Sequence, residues 1–145
     1  MGKKILNKIK KTPLKIIKLS AGNIMRALNK NELKNWTFGE AYFSKIRHNK
    51  IKAWKYHKKM TLNLIVPVGS IRFNFLDFRE ESSTFKEKFA LTLSNKDYSR
   101  LTVPPKIWFG FKGLGDKTNL LVNIANMPHD DNEVETKDID KFEFI

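Results

Sequence analysis

Lys55, His57, Lys59, Thr61 and Asn63 place two amines, an imidazole, a hydroxyl and a carboxamide at every second position of one short stretch. Side chains of an extended strand point alternately to its two faces, so these five share one face if the chain stays extended through Met60. Trp54, Tyr56, Met60, Leu62 and Leu64 then share the other face, with Lys58 as the exception. A polar face of this kind can simply meet water, as one side of an antiparallel sheet commonly does. Enclosed in a cavity it behaves differently. Same-face neighbours lie about 6.6 Å apart, where two unit charges repel by about 0.6 kcal/mol in water but about 2.5 kcal/mol at an effective dielectric of about 20. Enclosed cations therefore call for an anion, and a diphosphate would meet both the charge and the hydrogen-bond donors. His57 is a candidate base because an ordinary imidazole titrates near neutrality. Lys55 could take a proton in its neutral form or, charged, orient a phosphate or polarise a ketone.

Other side chains are less specific. There is no Cys, which removes disulfides, thiolate zinc sites and a Cys nucleophile, and makes a reducing cytoplasm the expected compartment. In Lys55-Tyr56-His57 a lysine stands where a His-x-His metal pair needs its first ligand, and the other histidines are only His48 and His129. No metal and no cofactor is expected. His129, in Met127-Pro128-His129-Asp130, either approaches a ligand or is a solvated loop residue. Trp54 and Trp108 are by default core or wall aromatics, and Trp108 is also a candidate for stacking on a sugar or base. Arg72 could reach a phosphate, whereas Arg79 beside Glu80 is as readily a surface charge. Asn63 and Asn123 could each hydrogen-bond a sugar or serve the backbone.

The elements that must hold these residues are short strands. Phe38 to Ser44, Ile51 to His57, Met60 to Val66, Ser70 to Phe78, Phe85 to Leu93, Ser99 to Val103, Trp108 to Phe111 and Asn119 to Ala125 carry strand signals. Pro67-Val68-Gly69, Asp77 to Ser83, Ser94 to Asp97, Pro104-Pro105 and Gly113 to Asp116 separate them with turn chemistry. Many short strands with regular turns predict a sandwich or barrel. With 145 residues, 41% of them hydrophobic, one domain with short tails is expected. The start, Met1 to Lys18, is a basic arm interrupted by Pro13, expected to fray or to lead through a short helix into an edge strand. It precedes no long apolar run, so no secretion signal is expected, and no segment approaches the roughly 18 apolar residues of a membrane span.

Net charge is +13, with lysines dense from Lys3 to Lys18 and from Lys45 to Lys59, while acidic residues gather at the end, from Asp130 to Glu143. Such charge favours an anionic partner: nucleic acid, anionic lipid or a phosphorylated small molecule. No recognised nucleic-acid motif is present, and nucleic acid ranks last among the expected partners.

Several segments together point to one family. They are Phe38-Gly39-Glu40-Ala41-Tyr42-Phe43-Ser44, the run Ile51 to Asn63, Val66-Pro67-Val68-Gly69, Asp77-Phe78-Arg79-Glu80, the run Val103 to Phe111, and Asn123 to Asp130. In combination, over roughly Phe38 to Glu135, the chain resembles a short-chain branch of the dTDP-4-dehydrorhamnose 3,5-epimerase family. The resemblance implies an all-β cupin jelly-roll barrel, usually a homodimer, that binds a nucleoside-diphosphate 4-keto sugar in its mouth without a metal. It also implies a role in surface polysaccharide synthesis. The implied chemistry is proton abstraction next to a ketone and return of a proton to the enolate. By the same resemblance Lys52 matches the phosphate-binding Arg and Lys55 the base, the family's acidic Tyr falls near Val122, and an expected His corresponds to Phe109.

The expectation is thus one cupin domain over 1–145, with a basic arm (1–18), a barrel (about 38–135) and an acidic tail (136–145). Lys55 and His57 are the candidate catalytic residues, and Lys52, Lys59, Thr61, Asn63, Arg72, Trp108, Asn123 and His129 the candidate substrate contacts. The alternative is a nucleotide-sugar-binding protein that has lost the reaction.

Overall fold

The computed structural model describes residues 8–32 and 36–145. Its strands are β1 (Lys10–Pro13), β2 (Ile16–Ile17), β3 (Ile24–Met25), β4 (Glu40–Lys45), β5 (Ile51–His57), β6 (Leu62–Val68), β7 (Ser70–Asp77), β8 (Lys88–Ser94), β9 (Ser99–Val103), β10 (Ile107–Gly113), β11 (Leu120–Ala125) and β12 (Val134–Thr136). Two antiparallel five-stranded sheets, in the orders β1-β9-β6-β11-β4 and β12-β5-β10-β7-β8, make a jelly roll, and β2 and β3 form a separate pair. The strand segments read from the turn signals all appear.

Alternation builds the core. From the first sheet come Leu62, Leu64, Leu101, Val103 and Leu121, from the second Phe73, Phe75, Phe89, Leu93, Phe109 and Phe111, and all are buried in one cluster between the sheets. Gly69 turns the chain from β6 in one sheet to β7 in the other with φ +83°, and a Cβ there would stand 2.4 Å from the Thr118 carbonyl oxygen. Only glycine fits both demands. The loop after β7 closes on Asp77, which is fully buried and accepts hydrogen bonds from Arg79, Ser82 and Thr84. Burial alone would raise its carboxyl, but these donors outweigh burial and hold it far below the usual carboxylate range.

One expectation changes. The chain does not stay extended through Met60: β5 ends at His57 in the second sheet, Lys58 and Lys59 bend, and β6 starts at Leu62 in the first sheet. The five alternating polar residues therefore do not share a face. The acidic tail is docked on the barrel. Phe142 and Phe144 pack with Trp54, Leu76, Trp108, Tyr56 and Phe78 on the outer side of the second sheet, and Trp54 Nε1 donates to the Ile139 carbonyl at 3.0 Å. The charges of this segment stay exposed while its alternate phenylalanines are drawn in. The described part of the basic arm forms an edge strand: β1 runs antiparallel to β9, from Lys10 opposite Thr102 to Pro13 opposite Ser99. Residues 1–7 lie outside the described residues.

Candidate functional site

Between the sheets lies a cavity of about 280 Å³. Leu64, Phe109, Phe111 and Leu121 give it an apolar wall. Tyr42 and Ser44 enter from β4, Lys52, Ala53, Trp54 and Lys55 from β5, and Thr136 and Lys137 border it at the end of β12.

Strict alternation would put Lys52 and Lys55 on opposite faces. A β-bulge reverses this: Phe109 stands opposite Lys55, Gly110 opposite Ala53 and Phe111 opposite Lys52, so that Trp54 is the extra residue. The bulge is tied to the tail by paired backbone hydrogen bonds between Trp54 and Lys137, 2.9 and 3.0 Å. Along β5 exposure falls from Lys52, exposed, through Lys55, half-buried, to His57, buried. The strand thus runs from the mouth of the cavity inward.

The charges differ in how they are held. Lys52 Nζ donates to Ser44 Oγ at 3.1 Å and to the Lys45 carbonyl at 2.7 Å. The Lys55 side chain makes no hydrogen bond or ion pair with any described residue. Lys137 borders the cavity, but its ammonium lies over the Trp108 ring, 4.9 Å from the centroid. No Asp or Glu is among the residues lining the cavity. It is therefore a cation-bearing space open to an anionic ligand.

His57 stands behind this space and does not border it. Its Nδ1 is 2.6 Å from Glu133 Oε1, its ring stacks on Phe109 with centroids 6.0 Å apart, and its Nε2 is buried without a protein partner. Burial pushes the imidazole down, outweighing the Glu133 carboxylate that pushes it up. Burial would raise Glu133, but His57 and the backbone N–H groups of Lys59 (2.9 Å) and Met60 (2.8 Å) hold it below the usual range. The neutral imidazole then carries its proton on Nδ1 and a bare lone pair on Nε2. Glu133 was not foreseen, since it lies 76 residues from its partner in a segment with no strand or motif signal.

The remaining candidates are dispersed. Lys59 is exposed on the bend. The Thr61 N–H donates to Asn126 Oδ1 at 2.9 Å, away from the cavity. Asn63 faces opposite to Leu62 and Leu64, accepting from Thr102 Oγ1 at 2.7 Å and donating to the Ile124 carbonyl at 3.2 Å. Arg72 is on the outer side of β7 with Nε on the Ile145 carbonyl, and Trp108 is buried under the tail, its ring 5.0 Å from Tyr56 and 5.8 Å from Phe142. Their alternation with Ile71, Phe73, Ile107 and Phe109 aims both away from the cavity. The exposed His129 ring bonds Asp131 at 2.7 Å. Asn123 does face inward: its Oδ1 accepts the Asn63 N–H at 3.2 Å and its Nδ2 donates to Tyr42 Oη at 3.1 Å. Of the sequence candidates the cavity gathers Lys52 and Lys55, with Asn123 one hydrogen bond away. It adds Tyr42 and Ser44, which the sequence marked as parts of a strand and of a segment resembling the family but not as site residues.

Comparison with known proteins agrees with this architecture. Over 91 residues the chain is 28% identical to a probable low-salt glycan biosynthesis epimerase of Haloferax volcanii, a match covering 62% of this chain and 58% of that protein. It is 26% identical over 102 residues to a spore coat polysaccharide biosynthesis protein of Bacillus subtilis, covering 70% of this chain and 68% of that one. The chain thus spans little more than half the length of the Haloferax protein. Among solved structures, a dTDP sugar isomerase from Desulfovibrio desulfuricans superposes with TM-score 0.90 at 33% identity, covering 94% of this chain and 87% of its own. A Legionella pneumophila dTDP-6-deoxy-D-glucose-3,5-epimerase, in complex with dTDP-4-keto-L-rhamnose, shares the fold with TM-score 0.80 at 16% identity, covering 88% and 71%. The family model for dTDP-4-dehydrorhamnose 3,5-epimerase matches residues 11–141, and the chain belongs to that family.

Proposed function

We propose that the protein is an epimerase or isomerase of a nucleoside-diphosphate 4-keto sugar, acting in surface polysaccharide synthesis. The observation that carries this reading is the cavity with Lys52 and Lys55 on one wall and no carboxylate in its lining. At about 280 Å³ it is at the small end of ligand sites, which run from roughly 300 to 1,000 Å³, so it suits one sugar ring with the nucleotide outside. The exposed Lys52 is placed for the diphosphate and the deeper Lys55 for the ring.

In this mechanism the Lys55 amine takes the proton from the carbon next to the ketone, and the Ser44 and Thr136 hydroxyls are the donors near the developing oxyanion. Lys55 is preferred to His57 because it borders the cavity, whereas His57 lies behind Phe109. In deuterated water with dTDP-4-keto-6-deoxyglucose and related 4-keto sugars, the wild type is expected to place deuterium next to the ketone. Lys55→Arg keeps the charge but not the base, and should lose exchange by about 100-fold or more. Lys55→His should recover part of it near neutral pH. Full activity in Lys55→Arg would assign the base elsewhere, and no exchange by the wild type with any such sugar would remove the reaction.

One observation favours a second reading. Val122 and Phe109 are apolar where the resemblance places an acid and a His, which suits a module that binds the nucleotide sugar without turning it over. That module would be stabilised thermally by a nucleoside diphosphate and show no exchange. Either reading suits a cytoplasmic protein, where nucleotide sugars are made, and we also propose a homodimer through the exposed side of β4.

A further inference from the structure

We propose that Tyr42 is the proton donor on the face of the sugar opposite Lys55, an assignment that rests on the epimerase reading above. Inversion at carbon needs a proton removed from one face and supplied to the other. The jelly roll provides two faces: Lys55 projects from β5 of the second sheet and Tyr42 from β4 of the first, and both border the same cavity. The other two tyrosines are engaged elsewhere. Tyr56 packs on Trp108 at the outer side, and Tyr98 donates to the Arg26 carbonyl at 2.7 Å.

The Tyr42 hydroxyl is also oriented. Asn123 Nδ2 donates to Tyr42 Oη at 3.1 Å, and the amide cannot turn over without losing the Asn63 N–H that its Oδ1 accepts at 3.2 Å. One lone pair of Oη is thereby occupied, and the hydroxyl proton makes no hydrogen bond with a described residue. In the ladder Tyr42 stands opposite Asn123, and the neighbouring pair is Phe43 with Val122. Val122, like Phe43, is on the outer face of the sheet, so Tyr42 with Asn123 is the polar pair on the inner face at this level.

The step balances without a further reactant. The Lys55 amine takes the proton of the carbon next to the ketone, giving an ammonium and an enolate. The Tyr42 O–H bond then breaks as its proton forms the new C–H bond on the opposite face. The Asn123 N–H stabilises the resulting phenolate, and water returns a proton to Tyr42 and removes one from Lys55.

The test separates exchange from inversion in deuterated water with dTDP-4-keto-6-deoxyglucose. Tyr42→Phe, which leaves Asn123 Nδ2 without its acceptor, is expected to fold with a somewhat lower melting temperature and to lower inversion by about 100-fold or more, while exchange with retention at the same carbon falls no more than about threefold. Asn123→Asp, which leaves Tyr42 in place but gives its hydroxyl an acceptor, should show the same separation and serves if Tyr42→Phe does not fold. Inversion by Tyr42→Phe at the wild-type rate, or equal loss of exchange and inversion in both variants, would overturn the assignment of Tyr42 alone. Absence of exchange in the wild type would overturn the epimerase reading together with it.

Discussion

His57 and Glu133 are each less than a tenth exposed, and the carboxylate serves an imidazole and two backbone N–H groups at once. Removing it strands the buried donors of His57 and Met60 and the half-buried Lys59 N–H, so Glu133→Ala should cost on the order of 3 kcal/mol in urea unfolding. The pair also makes stability depend on pH, with a definite sign. Because folded His57 resists protonation, the unfolded chain binds the extra proton first as pH falls below the ordinary imidazole value of about 6.5. This contribution is fully present above that value and is lost as pH drops toward the lowered folded value. Glu133, also lowered on folding, adds a loss of the same sign further into acid. Urea unfolding from about pH 7.5 to about pH 5 should show falling stability in the wild type and a flatter profile in His57→Gln. Equal slopes would mean that folded His57 takes up a proton as freely as the unfolded chain.

At the level of elements, the β5 bulge decides what the cavity contains. Period-two reading of Lys52-Ala53-Trp54-Lys55 separates the two lysines, and a single extra residue at Trp54 reunites them. A bulge leaves no mark in a hydrophobic pattern, and neither does a strand that changes sheets. For that reason the extrapolation from Lys55 through Asn63 failed at the Lys58–Lys59 bend, while the strands on either side of it were legible. The partner strand does carry a sign of the bulge. A Cβ on Gly110 would stand 2.6 Å from the Ala53 Cβ, well inside normal contact. Gly110→Ala should therefore destabilise by about 1–3 kcal/mol, as overpacking does, and, under the proposed function, should weaken nucleoside-diphosphate binding by displacing Lys52. Since the clash is with one methyl group, Gly110→Ala combined with Ala53→Gly should recover much of the loss. A double variant no better than the single one in thermal unfolding would show that the bulge does not depend on this contact.

For the whole molecule, the turn residues and alternating strands made a jelly roll readable, because each corner has its own local chemistry, as at Gly69. The docked tail was not readable, because seven acidic residues after position 129 conceal the two phenylalanines that cover Trp54 and Trp108. The other side of the molecule has no such cover among the described residues. Phe43 projects from β4, an edge strand, and is 71% exposed, with Phe38 65% exposed just before it. An open edge bearing a large apolar side chain is a pairing surface that a lone monomer would ordinarily blunt. A second copy applying the same surface would bury both aromatic rings and satisfy the edge with twofold symmetry. Sedimentation at tens of micromolar should therefore give about twice the 17.0 kDa chain mass. Phe43→Glu should shift the mass toward one chain while leaving the circular dichroism spectrum unchanged, because Phe43 faces away from the core. A wild type that sediments as one chain would exclude the dimer. A dimer indifferent to Phe43→Glu would place the contact on another face.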